Sequence, residues 1–501
     1  MDLTQPAVDA AAYMKGLVSL YSTNAAAAGV VFLVLAYVVM TFHKRIVRPT
    51  KPTKTSPSSQ KSTADPDGLA YLLPPSRRQV LPPPFGTVEK DSVKEGEGGF
   101  VSPTGIRLCK LRRLVGSFPD YAVLSGVPHP QPCPAGFTLE TARFRPFRTF
   151  RWRYHQHMAL MKLDPDYWLE LEHSYKASLA ERRALYEAHG EKILFCSTPD
   201  DDDDDNDSVV AALACRELLE MALQFVCRRH PHLFAMDGRE GEEETVRVFV
   251  NKVLGTKVLL DNDVYGHRAL QVLLDNIPED FAIVTRSAGD GRYRLRAASV
   301  CSSVGWCIGQ HRGRPLQDIH GRVTDYATKM ARSMDRYFAK LPTDQPIQRG
   351  SWSIEEGRPL FVEHEADRPG LDAEGDGDGD GGRSGRLPLH LRCDWQTLRR
   401  LPLTGAIVFN FKPAFTPLTD LRSEPYVPAL LHQILDQGDP RLVTPGKCME
   451  HTHKEVVSLL KSWADEQVAS GVVPADWEPR TLDESPFYPG WEAVWHGVQG
   501  F

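Results

Sequence analysis

The 501-residue chain has no CxxC pair, which removes zinc ribbons, thioredoxin-type redox sites and c-type haem attachment from consideration. Its nine cysteines, an odd number, run from Cys109 to Cys448 without the spacing of a disulfide framework, so they read as free thiols in a reducing compartment. No long basic stripe offsets the net charge of −6, and nucleic acid is not an expected partner. A dinucleotide fingerprint is missing too. Gly377-x-Gly379-x-x-Gly382 has the spacing, but no strand precedes it and the interleaved Asp378 and Asp380 would repel a pyrophosphate. The same stretch starts like a calcium loop at Asp376, yet Leu387 stands where the bidentate glutamate belongs.

What is present is an ordinary globular composition, 42% hydrophobic and 25% charged. Ala25 to Phe42 is an apolar run followed at once by His43, Lys44 and Arg45. About 18 residues is the lower end of a membrane-spanning helix. With the positive charges behind the run and no A-x-A cleavage site, residues 1–48 read as a single-pass anchor with the body in the cytosol, most simply at the endoplasmic reticulum. Residues 49–135 read as a Pro/Ser-rich linker and irregular lead-in, 136–440 as the main α+β domain with acidic insertions at 199–207 and 370–386, and 441–501 as a C-terminal helix and aromatic tail.

Within the main domain, Tyr154 to Leu160 reads as a strand, Asp164-Pro-Asp as the start of a helix through Tyr175, and Ala177–His189 and Ser208–His230 as further helices. Glu244 to Val253 has a helical or mixed pattern. Phe281–Thr285 and Arg292–Arg296 read as strands around a Gly-rich turn, and Tyr326–Phe338 as an amphipathic helix. Strands follow from Pro346, from Leu389 and over Thr404–Phe411, then helices over Val427–Leu435 and Lys454–Val468.

The chemistry-bearing stretch is Ala298 to Tyr326. Pro315 pre-sets the first turn of a short helix over Leu316–Ile319, leaving His320 at its end with Gly321 as a stop. An imidazole in so rigid a frame suits a metal or cofactor ligand, although a structural histidine has the same spacing. His155-x-His157 is a second candidate pair, both rings on one strand face.

Four segments in fixed order carry a resemblance: Arg145-Pro-Phe-Arg148 with Met158 to Trp168; Gly305-Trp306 with Pro315 to His320; Ser351-Trp-Ser-Ile with Leu360-Phe361; and Leu391-Arg-x-Asp-x-Gln-Thr-Leu-Arg-Arg-Leu-Pro402 with Gly405-Ala406. Together they resemble the haem-dependent oxidative N-demethylase family over roughly residues 140 to 435. The resemblance implies a PAS-like antiparallel sheet with surrounding helices, haem b as cofactor, and dioxygen-dependent removal of an N-methyl group from a small molecule, an amine in the first instance. It makes His320 the axial ligand. Asp394 falls where the family has glutamate and would orient the imidazole through its second nitrogen. Asp394 and Trp352 become the catalytic candidates. Arg145, Arg148, Arg314 and Arg399, with Arg312 and Arg400, are candidate propionate donors. Electrons would come from a separate donor, a flavin reductase using NADPH or NADH.

The chain departs from the family pattern after His320, where Arg322-Val-Thr-Asp325 replaces Pro-Val-Pro-Gly, and at Asp394 and Ser351. Cys307 is the competing axial ligand, but the Phe-x-x-Gly-x-Arg-x-Cys pattern of P450 enzymes is nowhere present. Two other classes stay open: a non-catalytic haem or small-ligand sensor, since fold does not imply function, and a tethered interaction protein that has lost the cofactor.

Overall fold

The computed structural model describes residues 101–499 apart from 156, 200–204, 239–246, 288–289, 365–386 and 445. The chain divides into two compact units, Met1–Ala64 and Asp65–Phe501, and every described residue lies in the second.

Among the described residues ten strands form two antiparallel sheets. β1 (Met161–Lys162), β2 (Leu194–Cys196), β6 (Asp280–Arg286), β7 (Tyr293–Ser299), β8 (Ile347–Glu356), β9 (Leu389–Arg400) and β10 (Ile407–Pro417) build the large sheet, in the order β1-β8-β9-β10-β6-β7-β2. β3 (Phe234–Gly238), β4 (Arg247–Asn251) and β5 (Thr256–Leu260) form a separate meander. The first long strand of the large sheet, β6, pairs with the last, β10, and the chain between β7 and β8 crosses one face carrying α4 (Leu316–Ile319) and α5 (Ala331–Lys340). The other main helices are α1 (Tyr175–His189), α2 (Asp205–Arg229), α3 (Gly266–Asn276), α6 (Val427–Gln437), α7 (Glu450–Ala469) and α8 (Trp491–Gln499).

Helix α2 is almost wholly buried, as its apolar positions Val210, Leu213, Leu218, Leu219, Leu223 and Val226 require, and shares a core with α3, Phe281 and Val408. Two buried carboxylates pin the sheet to its surroundings. Glu217 of α2 accepts the backbone N–H groups of Leu403 and Thr404, holding the β9–β10 turn, where Gly405 sits at φ 70°. Asp280 accepts N–H from Cys301 and Ser302 and pairs with Arg182, closing the end of β7 against β6. Such charge-assisted bonds satisfy groups that would otherwise be costly to bury. A second core joins α6 and α7 to Trp352, Ile354 and Leu391, so residues after 441 pack on the same body as the sheet.

Several expectations are corrected. The fold is α+β with an antiparallel sheet, but a transmembrane helix is not part of what is found: no helix among the described residues is long and apolar enough to cross a membrane. The run over residues 25–42 lies outside the described residues, as do the whole acidic insertion at 370–386 and most of that at 199–207. No strand forms among the described residues of Tyr154–Leu160; Ala159 takes a positive φ of 51°, which interrupts extended backbone, and the two-residue β1 begins only after it. After Asp164 only one 3₁₀ turn forms, Pro165–Tyr167, before the chain runs on to α1. Arg247–Asn251, read as helical or mixed, is a strand whose register with β3 and β5 is fixed by partners on both sides.

Candidate functional site

His320 ends α4 with φ −94° and ψ 8°, its backbone N–H on the Leu316 carbonyl. Its Nδ1 lies 2.8 Å from the same oxygen. A carbonyl only accepts, so Nδ1 is the protonated nitrogen and Nε2 carries the lone pair. Burial pushes the ring's pKa below its ordinary value; Arg349 and His311 push the same way and the Leu316 carbonyl opposes. The ring stacks on Tyr326, centroids 5.1 Å apart and planes 15° from parallel, with Trp306 edge-on at 6.2 Å. The imidazole is therefore neutral, clamped on its flat face, and free of a described partner at Nε2.

Below this turn lies the open face of the sheet. Side chains alternate along a strand, so Arg349, Ser351 and Ser353 of β8 share a face with their register partners Gln396, Asp394 and Arg392 of β9. Phe409 and Phe411 of β10, opposite Leu398 and Gln396, complete it. Leu398 and Ile407 share a core with Leu316, Ile319 and Tyr326, yet Trp306, Val323, Ile347, Phe409 and Phe411 around it are only half-buried. An apolar face left partly uncovered beneath a neutral histidine is the shape a flat cofactor needs. Together these residues fit a haem, held at iron by an imidazole and elsewhere by apolar contact.

A family model described as haem-dependent oxidative N-demethylase, alpha subunit-like, matches residues 159–457, more than half of the chain. The chain belongs to this family. No curated protein matches it.

In this N-demethylase-family chain the sheet separates the candidates read from sequence. His320, Asp394 and Ser351 belong to the open side. Asp394 is half-buried and accepts from Arg392 Nε at 2.9 Å, while the second nitrogen of His320 faces Leu316 instead. Arg399 points to the opposite side, its guanidinium 4.0 Å from the Trp168 ring centroid, and burial pushes its pKa down to about 10. Arg145 and Arg148 lie on that opposite side too, flanking Phe147, which stacks on Trp395 at 3.6 Å. Arg145 is bound to Glu170 at 2.6 Å and Arg148 to Glu424 at 2.6 Å. Arg400 spends its donors on the Leu341 and Gly405 carbonyls and on Tyr293. Arg312 pairs with Glu191, and Arg314 Nε bonds the Gln310 carbonyl. Cys307 is buried and lies toward Lys192.

Trp352 is 3% exposed, edge-on to Phe150 at 5.1 Å, with Nε1 unpartnered. It belongs to a cleft at the edge of β8 that sequence reasoning missed, together with Arg349, Lys447 and Tyr154. His155 and His157 line the same cleft with rings 4.8 Å apart. His157 Nδ1 accepts the Ala159 N–H, and burial pushes this ring down to about 4. Among the described residues no group of three or more His, Cys, Asp or Glu could hold a metal ion. The signal for Arg349 was its place two residues before Ser351 on an alternating strand; its lack of a carboxylate partner is a fact of three dimensions.

Proposed function

We propose that the protein is a haem-dependent oxidoreductase that removes an N-methyl group from a small amine-containing molecule, with His320 Nε2 as the axial ligand. The reading is carried by one observation: His320 is a neutral imidazole whose Nδ1 proton is fixed on the Leu316 carbonyl, above a half-covered apolar sheet face. When bound, haem supplies the redox centre at which dioxygen is activated. This chain's own residues do the rest. Leu316 and Tyr326 hold the ring's tautomer and tilt, as groups bonded to a ligating imidazole do at many metal sites. Phe409, Phe411, Val323 and Trp306 supply apolar cover that excludes water. Asp394, kept in place by Arg392, puts a carboxylate on the same face. Electrons come from a separate flavin reductase, since the sequence offers no convincing flavin or nicotinamide fingerprint of its own.

The test is the visible spectrum of the purified chain, expressed with haem supply, beside His320→Ala. A Soret band that is lost or shifted in the variant supports the assignment. A band untouched by the substitution moves the ligand elsewhere, and no band in well-folded wild-type protein sinks the oxidase reading.

A further inference from the structure

The outer edge of β8 is broken. β1 pairs with it only at Ile347 and Gln348, and the next partner is the Lys447 carbonyl, which accepts the Ile354 N–H. Between them, along Arg349 to Trp352, a cleft of about 70 Å³ opens between the strand, the segment from Thr149 to Met161, and Lys447. It is lined by donors. Arg349 has no hydrogen-bond or carboxylate partner among the described residues, and its Nε is buried. Trp352, 3% exposed, borders the cleft, and its Nε1 has no hydrogen-bond partner. Lys447 Nζ donates to the Trp352 carbonyl at 2.7 Å, which leaves it further N–H groups. Arg151 adds a third cation, and no aspartate or glutamate is among the described residues that line the cleft.

A buried cation without a counter-ion is costly, and so is a buried guanidinium N–H without an acceptor. An anion in the cleft beside Arg349 removes both costs. The volume suits an acid head group and is far below the several hundred Å³ that a whole drug-sized ligand occupies. A bare alkylammonium would be repelled by Arg349, Arg151 and Lys447. An amine that also carries a carboxylate would be drawn in by them. Arg349 also stands on the face beneath His320, so the cleft and the proposed haem site share a residue.

We propose that this cleft binds the carboxylate of a small N-methylated amino acid, with Arg349 and Lys447 as its charged donors. The proposal names the substrate class for the N-demethylase reading and rests on it. The remaining source of the same chemistry is a carboxylate of haem itself, and the experiment separates the two.

Full-length wild type, Arg349→Gln and Arg349→Lys, each with haem supplied, are titrated calorimetrically with N,N-dimethylglycine and with trimethylamine, and their visible spectra are recorded. The expected result is binding of dimethylglycine but not of trimethylamine, weakened at least tenfold in Arg349→Gln and partly restored in Arg349→Lys, with an unchanged Soret band. Equal binding of the two compounds, or none, overturns the proposal. So does a loss of haem in Arg349→Gln with ligand affinity intact, which would give the cleft to haem. Arg349-dependent binding by protein without a Soret band would sink the haem reading and leave the cleft as assigned. If Arg349→Gln does not fold, Lys447→Met is expected to show the same selective loss, and undiminished binding there overturns the proposal.

Discussion

His320 Nδ1 and the Leu316 carbonyl are 2.8 Å apart across a single helical turn, so the residue that opens α4 fixes the tautomer of the residue that ends it. Tyr326 completes the clamp from the other side of the ring. Its side chain is 2% exposed and its hydroxyl reaches only the Met334 sulfur at 3.5 Å. Tyr326→Ala is expected to cost about 3–5 kcal/mol as a large-to-small core change, and Tyr326→Phe less than about 1 kcal/mol. Urea unfolding of the two variants checks the pair. In haem-loaded protein the alanine variant, but not the phenylalanine one, should also broaden or shift the Soret band.

Arg148 and Glu424 form a buried ion pair across the sheet from His320. Removing one partner leaves the other charge buried alone, so Arg148→Ala is expected to destabilise by about 3–5 kcal/mol. Haem content per folded molecule should not change. A Soret band lost in protein that still melts cooperatively would instead restore Arg148 as a propionate donor.

Gly350 faces Thr149 so closely that a Cβ there would meet Thr149 Cγ2 at 2.3 Å. Gly350→Ala must displace Thr149, which lines the cleft, an overpacking change of roughly 1–3 kcal/mol. Dimethylglycine binding should weaken by more than the loss of stability alone explains. Calorimetry well below the variant's melting temperature checks this, and unaltered affinity would move the acid group away from the Gly350 side of the cleft.

Lys447 gives the cleft a pH dependence. Burial pushes its pKa down to about 8, with Arg349 acting in the same direction and Asp394, Cys393 and Glu355 opposing. A lysine is charged below its pKa, so carboxylate affinity is expected to hold up to pH 7 and fall as pH rises through about 8. In Lys447→Met the fall should disappear. Isothermal titration between pH 6 and 9.5 reads both.

Much of the large sheet was legible in the sequence because its central strands are long and strongly patterned. β9 follows from the strand-like Leu389–Pro402 and β10 from the apolar continuity of Thr404–Phe411, and α4 with His320 follows from Pro315 and Gly321 alone. The β3–β5 meander was not legible, because Arg247-Val-Phe-Val-Asn251 is too short to separate strand from helix before its partners are known. Arg145 and Arg148 read as propionate donors from the Arg145-Pro-Phe-Arg148 segment that carries the family resemblance. Glu170 is 25 residues from the one and Glu424 276 residues from the other, and nothing local announces either pair. Arg349 is the reverse case: an unremarkable residue in sequence, conspicuous only once no acid is found beside it.

The large sheet acts as a wall between two kinds of consequence. Behind it, Arg145, Arg148, Phe147 and Trp395 are tied to acids and rings, and a change there is felt as melting temperature. In front of it, His320, Arg349, Gln396 and Phe411 stand before a half-covered surface, and a change there is felt as colour and affinity. A substitution behind the sheet that also alters the spectrum must act through the strands themselves, which makes that combination a reporter of sheet distortion.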